Sequence, residues 1–138
     1  PTYKSSSTGT TGHYEAVQIE YDSSKVSYQQ LLDVYWKNID PFDSRGQFCD
    51  KGPQYRAAIF TMNDSEEELA NKSKSVLQAK LKDKAKVVTE ILSAKKFYAA
   101  EDYHQDYYIK NPVRYKYYRY GCGRDKRLEQ VEELVNSK

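Results

Sequence analysis

A carboxylate, a phenol and a thiol lie close together in one glycine-containing loop of this chain. Cys49 and Asp50 precede a turn at Gly52 and Pro53, and Tyr55 follows that turn. Glycine and proline favour tight turns, so the side chains of Asp50 and Tyr55 can converge on one small pocket. A thiolate can attack sulfur, and a carboxyl group or a phenol can hold or supply a proton. These residue types therefore indicate proton-coupled redox chemistry on sulfur.

Two elements are predicted before this loop. The segment 17–21 alternates apolar and polar residues with the period of a half-buried strand. A helix is then predicted to begin at Ser27, which forms a capping box with Gln30, and to end before Pro41. The apolar face of this helix carries Tyr28, Leu31, Leu32, Tyr35 and Ile39.

Three further elements are predicted after the loop. Tyr55 is expected to begin a central strand over 55–61, because the residues that follow it are apolar on both faces. A second capping box, Ser65 with Glu68, predicts the start of a helix. The segment 86–92 predicts a third strand. The apolar stripe of the helix carries Leu69, Val76, Leu77 and Leu81.

The C-terminal region is predicted to contain a short helix over 99–109 that stops at Pro112, followed by an irregular tail to Tyr120. Strands and helices thus alternate along the chain. This order predicts an α+β fold in which helices pack on one face of a mixed, mostly antiparallel sheet.

Composition narrows the possible function classes. The 138 residues fit one domain, and a net charge of +2 does not by itself imply nucleic acid. No apolar run approaches the length of a membrane-spanning helix. The two cysteines and two histidines match no metal-ligand spacing. Two cysteines so far apart do not predict a disulfide framework, and they fit redox chemistry in a reducing compartment better.

The segment 40–60, DPFDSRGQFCDKGPQYRAAIF, resembles the loop and strand of peptide methionine sulfoxide reductases of the A type, which usually reads DP…QGND-G-QYRSAIF. The resemblance continues upstream in PTYKSSSTGTTGHYEAV and downstream in FYAAEDYHQDYYIKNP. The tail RYKYYRYGCGRDKRLE resembles a subgroup whose loop also contains GQFCD. The resemblance implies a single reductase domain over residues 1–138, with a ferredoxin-like α/β plait and a long wrapping C-terminal tail.

Two departures from the family pattern bear on activity. The family places its attacking cysteine in a Gly-Cys-Phe-Trp turn near the N-terminus, followed by Gly-Tyr-Thr-Gly-Gly, and neither motif occurs between Pro1 and the C-terminus. We therefore interpret the domain as N-terminally incomplete and the chain as inactive by itself. In addition, Ser5 stands where the family has a glutamate as general acid, and a serine cannot supply a proton at comparable acidity.

The resemblance assigns roles to residues that are present. Asp50 and Tyr55 match the positions that hold the sulfoxide oxygen and the active-site water, and His104 matches a histidine near the substrate pocket. Cys122, between two glycines and among cationic residues, is expected to resolve the sulfenic acid formed on the attacking cysteine. Cys49 competes for that role, although the neighbouring Asp50 disfavours its thiolate. His13 is expected to be structural.

The resemblance also implies the reaction and its participants. It predicts a peptide-methionine (S)-S-oxide reductase that acts on oxidised proteins or on free methionine sulfoxide. Thioredoxin would be the reductant, and the protein would need neither a metal nor an organic cofactor. We expect a cytoplasmic monomer that binds neither a membrane nor nucleic acid.

Two other functions are kept as alternatives. The chain could be a non-catalytic remnant that binds methionine sulfoxide or a partner protein. Alternatively, its tail, in which cations alternate with tyrosines, could bind single-stranded RNA. Burial distinguishes the RNA alternative, because a reductase tail is expected to pack Tyr107, Tyr115 and Tyr118 against the sheet.

Overall fold

The fold is described from a computed structural model, which describes residues 14–95, 97, 105 and 111–137. Four helices and two small sheets follow one another in these ranges. The helices are α1 (Tyr28–Lys37), α2 (Asp64–Leu81), α3 (Pro112–Gly121) and α4 (Arg124–Asn136). The strands are β1 (Gly46–Gln47), β2 (Asp50–Lys51), β3 (Ala58–Thr61) and β4 (Glu90–Ser93), and a short 3-10 turn spans Pro53–Tyr55. The prediction of an α+β architecture is confirmed at this level.

Helix α1 begins as predicted. The Ser27 hydroxyl accepts a hydrogen bond from the Gln30 backbone N–H at 3.1 Å, and the Gln30 side chain accepts one from the Ser27 N–H at 2.8 Å. This reciprocal pair satisfies two N–H groups that a helix start leaves without an intrahelical partner. The helix ends at Lys37, before Pro41, where Asn38 forms the cap and donates its side-chain amide to the Val34 carbonyl at 2.7 Å.

Helix α2 begins one residue earlier than Ser65. Asn63 caps it by accepting a hydrogen bond from the Glu66 N–H at 2.9 Å, and Glu66 accepts one from the Met62 N–H at 2.8 Å. The capping box predicted at Ser65 and Glu68 is therefore wrong. Asn63 takes the role because its backbone is extended and its side-chain amide oxygen reaches the first turn.

The larger sheet consists of β3 and β4, which run parallel with Ile59 opposite Ile91. Helix α2 connects them, as expected for a parallel pair, whose ends cannot be joined by a tight hairpin. The second sheet pairs β1 with β2 in antiparallel orientation over two residues each. In the described ranges, the expected mostly antiparallel sheet is thus replaced by one parallel and one antiparallel pair.

Three predicted strand boundaries are wrong. The segment 17–21 forms no strand, and Val17 and Ile19 are 85% and 60% exposed. Alternation can predict a strand only where a partner strand takes up its backbone hydrogen bonds. Strand β4 begins at Glu90 rather than at residue 86. Tyr55 does not begin a strand, because it ends the 3-10 turn before β3.

The core joins α1, α2 and the parallel sheet. Leu32, Ile59 and Ala70 are buried together, and partly buried residues pack around them. Two aromatic residues of α1 add polar anchors: the Tyr35 hydroxyl donates to the Ala58 carbonyl at 3.1 Å, and the Trp36 indole donates to the Ser73 hydroxyl at 3.0 Å. The surrounding residues are Tyr28, Tyr35, Trp36, Leu69 and Ile91.

The tail is helical where an irregular chain was predicted. Pro112 starts α3, since a first-turn residue needs no N–H donor and proline has none. The short helix predicted over 99–109 falls almost entirely outside the described residues. All ten residues of α3 are described and none is buried, whereas α4 buries Val131. None of the helices in the described ranges is both long and apolar enough to cross a membrane.

Candidate functional site

A tight hairpin carries the candidate site residues. Gln47 lies opposite Asp50, and Gly46 lies opposite Lys51. A Cβ atom at Gly46 would lie 2.0 Å from the Asp50 carbonyl oxygen, so only glycine allows the two strands to approach this closely. Phe48 forms the turn with a positive φ of 55°. The hairpin therefore presents Phe48, Cys49 and Asp50 in a fixed order at its tip.

The carboxylate of Asp50 accepts a hydrogen bond from the Tyr118 hydroxyl at 2.5 Å. The two residues are 68 positions apart, and Tyr118 lies on α3. Partial burial and the adjacent Asp50 carboxylate, in that order, raise the pKa of Tyr118 above its ordinary value. The phenol consequently keeps its proton at neutral pH and remains a donor to Asp50.

Cys49 and Cys122 are joined by a disulfide, with their Cα atoms 5.2 Å apart. This pairing of the two cysteines is not predicted from the sequence. Their separation of 73 positions concealed the contact, because the hairpin tip and the end of α3 meet only in the folded chain. Cys49 is exposed and Cys122 is partly buried, so the bond lies at the surface beside Asp50.

Tyr55 lies in the same neighbourhood but was predicted in the wrong element. It ends the 3-10 turn after Gly52, whose φ of 137° suits glycine. Tyr55 is partly buried. Its phenolate form would raise the pKa of Tyr118, so the two phenols lie near each other. The structure therefore brings together Asp50, Tyr55, Cys49 and Cys122 through α3.

A small cavity of about 70 Å³ opens between the hairpin and the C-terminal helices. Arg124 lies on one wall, with its guanidinium carbon 4.5 Å from the centre of the Phe48 ring and one nitrogen donating to the Asn38 carbonyl at 2.6 Å. Burial lowers the pKa of Arg124 from its ordinary value. The residues that line the cavity are Phe48, Asp50, Tyr115, Tyr118, Arg119, Cys122 and Arg124.

The cations near Cys122 are partly neutralised. Arg119 pairs with Asp125, to which its Nε donates at 2.9 Å, and Arg127 pairs with Asp40. The cations expected from the sequence to activate Cys122 therefore do not act together on it, because two of them are matched by carboxylates. The expected cations are Arg119, Arg124, Lys126 and Arg127.

The sequence prediction missed Tyr118 and Phe48 as site residues. A local signal was available for Tyr118, since it lies four positions before Cys122 and shares a helix face with it. The expected packing of Tyr118 against the sheet is wrong, because Tyr118 is 50% exposed and contacts the hairpin instead. Tyr115 is partly buried. Tyr107, His104, His13 and Ser5 lie outside the described residues.

No group of three or more histidine, cysteine, aspartate or glutamate side chains suited to a metal ion occurs among the residues that the structure describes. What the geometry offers is a carboxylate with a bound phenol, a second phenol nearby, and a pair of sulfur atoms beside them. This set can hold an oxygen atom by hydrogen bonds and can exchange electrons with an external thiol.

Comparison with known proteins agrees with the resemblance seen in the sequence. The family model described as peptide methionine sulfoxide reductase matches residues 1–135. The peptide methionine sulfoxide reductase MsrA of Bacillus licheniformis is 50% identical over 94% of this chain and 72% of its own length. The MsrA/MsrB protein of Vibrio cholerae is 47% identical over 95% of this chain, which spans only 35% of that protein.

A solved structure shares the fold. Mxr1 from Saccharomyces cerevisiae in its reduced form superposes with a TM-score of 0.76 and 36% identity, covering 81% of this chain and 61% of the yeast chain. At this identity the match supports common descent as well as a common fold. With the family model over nearly the whole chain, it shows that the chain belongs to the peptide methionine sulfoxide reductases of the A type.

Proposed function

We propose that this chain carries the oxygen-binding and recycling part of a peptide-methionine (S)-S-oxide reductase, and that Asp50 and Tyr55 hold the sulfoxide oxygen. The observation that carries the proposal is the position of Asp50 at the hairpin tip. Its carboxylate accepts from Tyr118 and stands beside the sulfur atoms of Cys49 and Cys122. Hydrogen-bonding groups and thiol chemistry thus share one small region.

The reaction balances with two thiols for each sulfoxide. A thiolate attacks the sulfoxide sulfur, the S–O bond breaks, and the oxygen leaves with the attacking sulfur as a sulfenic acid, while the substrate departs as a thioether. A second thiol then attacks the sulfenic sulfur, which forms a disulfide and releases water. Asp50 and Tyr55 serve the first step, because a group that hydrogen-bonds the departing oxygen stabilises its developing charge.

We assign the second step to the pair of Cys49 and Cys122. As thiols, either one can resolve a sulfenic acid, and Cys122 is the better candidate, because Gly121 and Gly123 flank it and leave its segment free to move. Once Cys122 has formed a disulfide with the attacking cysteine, Cys49 can attack the Cys122 sulfur and release the attacking thiol. The resulting Cys49–Cys122 disulfide at the surface is open to attack by thioredoxin, which would return both sulfurs to thiols. The attacking thiol is neither of these two cysteines, so the 138-residue chain by itself would not turn over.

Further parts of the proposal come from the family. The residues 1–138 would form one domain whose core is a ferredoxin-like plait with a wrapping tail. Substrates would be exposed oxidised methionines in proteins or free methionine sulfoxide, with His104 in the substrate pocket. The protein would act in the cytoplasm as a monomer without a metal or organic cofactor.

A stereospecific assay tests this function. A longer form carrying the family's N-terminal segment and attacking cysteine should reduce the S epimer of methionine sulfoxide with dithiothreitol and leave the R epimer unchanged. The 138-residue chain, assayed in parallel, should reduce neither. Reduction by the 138-residue chain would show that Cys49 or Cys122 attacks the substrate. Loss of stereospecificity in the longer form would contradict the reductase assignment.

One observation favours a second candidate function, the binding of single-stranded RNA. Helix α3 leaves Tyr117 and Tyr120 81% and 87% exposed, and the exposed cations Arg114 and Lys116 precede them on the same helix. Exposed aromatic rings among cations can stack on bases and contact phosphates. An RNA titration at physiological salt separates the two candidates, as described in the Discussion.

A further inference from the structure

Helix α3 lies at the surface of the described part of the chain. None of its ten residues, all described, is buried. Its ion pair runs from Arg119 to Asp125 of the adjoining helix α4, which follows α3 directly in the chain. The contacts between this part of the chain and the hairpin include the hydrogen bond from Tyr118 to Asp50 and the disulfide to Cys49 from Cys122, which directly follows α3.

These two connections lie side by side. Cys49 directly precedes Asp50 on the hairpin, and Cys122 follows Tyr118 by one helical turn, with its N–H donating to the Tyr118 carbonyl at 2.9 Å. The covalent bond therefore joins the same two segments as the hydrogen bond. A change in the disulfide acts directly on the distance between the phenol and the carboxylate.

We propose that Tyr118 is a positioning residue for Asp50 and that the Cys49–Cys122 disulfide holds it in place. Reduction of the disulfide releases α3, so Tyr118 leaves Asp50 and the carboxylate loses its phenolic donor. The redox state of the two cysteines thereby determines whether Asp50, the acid proposed to hold the sulfoxide oxygen, has a phenolic hydrogen-bond donor. The inference rests on the proposed function for the role of Asp50, whereas the coupling of the disulfide to Tyr118 is independent of it.

The hydrogen bond alone cannot hold the helix. Tyr118 is 50% exposed, so water competes for both the phenol and the carboxylate. The disulfide changes this balance because it shortens the covalent path between the phenol and the carboxylate to a few residues. The shorter path raises the effective concentration of one group at the other. Removing the covalent bond leaves α3 connected to the hairpin through the exposed hydrogen bond and the cavity wall.

The release step needs a two-electron reductant of the disulfide, and a dithiol, the class of reductant that the proposed function already uses, can supply it. One thiolate of the dithiol attacks a sulfur of the Cys49–Cys122 bond and forms a mixed disulfide, and its second thiol displaces the remaining cysteine. Two electrons and two protons pass to Cys49 and Cys122, which become thiols, and the dithiol becomes a disulfide. In this state Asp50 no longer has Tyr118 as its donor.

The ionisation of Tyr118 reports this contact without any substrate. Several groups face the phenol: Asp50, Glu15 and Tyr55 raise its pKa, and the cations Arg119 and Arg124 line the same cavity. Loss of the Asp50 contact and of burial should each lower the pKa of Tyr118 toward its ordinary value near 10, so release of α3 must move it downward.

The test labels all tyrosines of the 138-residue chain with carbon-13 at Cζ and follows their ionisation by NMR. The Tyr118 resonance is assigned by its loss in Tyr118→Phe. We expect its midpoint to fall by about one pH unit or more in Cys49→Ser/Cys122→Ser and in Asp50→Asn. Tyr120→Phe is the matched control, because Tyr120 lies on the same helix, is 87% exposed, and should leave the Tyr118 midpoint unchanged.

A second measurement uses the wild-type chain at neutral pH, so its result does not depend on whether the double variant folds. Amide hydrogen exchange of residues 112–121 in the wild-type chain should be at least about tenfold faster after reduction with a phosphine than before, while exchange in α2 stays the same. Equal Tyr118 midpoints in the disulfide-bonded and disulfide-free proteins, or equal exchange of α3 in both states, would overturn the proposal. Neither readout involves methionine sulfoxide, so failure of the reductase assignment would appear separately, in the stereospecific assay.

Discussion

Arg127 of α4 and Asp40 of the loop after α1 form an ion pair across 87 positions of the chain, with Nε 2.8 Å from Oδ2. Asp40 is buried, and its carboxylate also accepts from the Phe42 N–H at 3.0 Å. Arg124 adds a hydrogen bond to the Asn38 carbonyl from the preceding turn of the same helix. These contacts fix α4 against the loop that follows α1.

Arg127→Ala should therefore lower the free energy of unfolding. The substitution leaves the Asp40 carboxylate buried without its cation, a cost of about 1–3 kcal/mol for one charged hydrogen-bond partner. Urea denaturation monitored by the fluorescence of Trp36 measures the change. Arg114→Ala, an exposed cation on α3, is the control and should change stability by less than about 0.5 kcal/mol. Equal effects of the two substitutions would show that the ion pair contributes no more than a surface charge.

Asp50→Ala and Tyr55→Phe should each lower kcat/KM for methionine sulfoxide in a longer form that carries the attacking cysteine. Under the proposed function, each substitution removes one group that would hydrogen-bond the departing oxygen, and such a loss costs roughly ten- to a thousand-fold in rate. Steady-state kinetics with dithiothreitol measures the effect, and circular dichroism confirms that the fold is kept. Unchanged kinetics in both variants would mean that the loop is only structural.

Much of the local structure followed from the sequence, and most of the site did not. The cap of α1 was predictable because Ser27 and Gln30 are three positions apart, and the bonds between them depend on nothing else. The partner of Asp50 was not predictable, because Tyr118 is 68 positions away and reaches it only through the fold. The pairing of Cys49 with Cys122 is concealed for the same reason.

The errors in the strands have a related cause. The alternating segment 17–21 satisfies the periodicity of a strand, but its backbone needs a neighbouring strand to pair with, and its apolar side chains are exposed. The sequence predicts a stop signal at Pro112, but a helix begins there, because proline is equally suited to the first turn of a helix. Both patterns are ambiguous until the neighbouring segments are known.

Cys122→Ser in the longer form should spare the first turnover and impair turnover driven by thioredoxin. The attacking thiol is unaffected, but its sulfenic acid has lost the resolving thiol that presents a surface disulfide to thioredoxin. Single-turnover and steady-state assays with thioredoxin, compared with dithiothreitol, separate the two steps. If Cys49→Ser alone gives this pattern, Cys49 is the resolving residue. If neither variant does, resolution uses a cysteine outside these two positions.

The hairpin should contribute to stability at mildly acidic pH through Asp43. Burial acts to raise its pKa, but hydrogen bonds from the Lys51 ammonium and the Arg45 N–H outweigh burial and lower it below the ordinary value. A carboxyl group with a lowered pKa in the folded state stabilises the protein above its unfolded pKa, near 4. That stability is lost as the pH falls through the folded pKa.

Lys51→Met should therefore reduce this contribution. Because Lys51 is about half exposed, the pair contributes less than about 1 kcal/mol, and the difference between the two proteins should vanish at low pH. Chemical denaturation at several pH values between 7 and 2 measures it, with Lys126→Met, an exposed lysine on α4, as the control. A difference that grows as the pH falls would contradict the assigned sign.

Binding of single-stranded RNA should be weak and should collapse with salt, even though α3 exposes Tyr117 and Tyr120. The cations near them make screened phosphate contacts, and Arg119, one of the nearest, is already paired with Asp125. Tyr118, the third exposed ring on α3, donates to Asp50 and is not available for stacking without breaking that bond.

A fluorescence titration with an unstructured oligonucleotide, repeated at several salt concentrations, measures the RNA affinity and its dependence on salt. The double variant Tyr117→Ala/Tyr120→Ala should change the RNA affinity by less than about threefold. A ring that stacks on a base contributes about 1–3 kcal/mol, and we expect no such stacking here. Sub-micromolar affinity at physiological salt that is lost in this double variant would establish α3 as an RNA-binding surface, and the hairpin with Asp50 would then need a separate explanation.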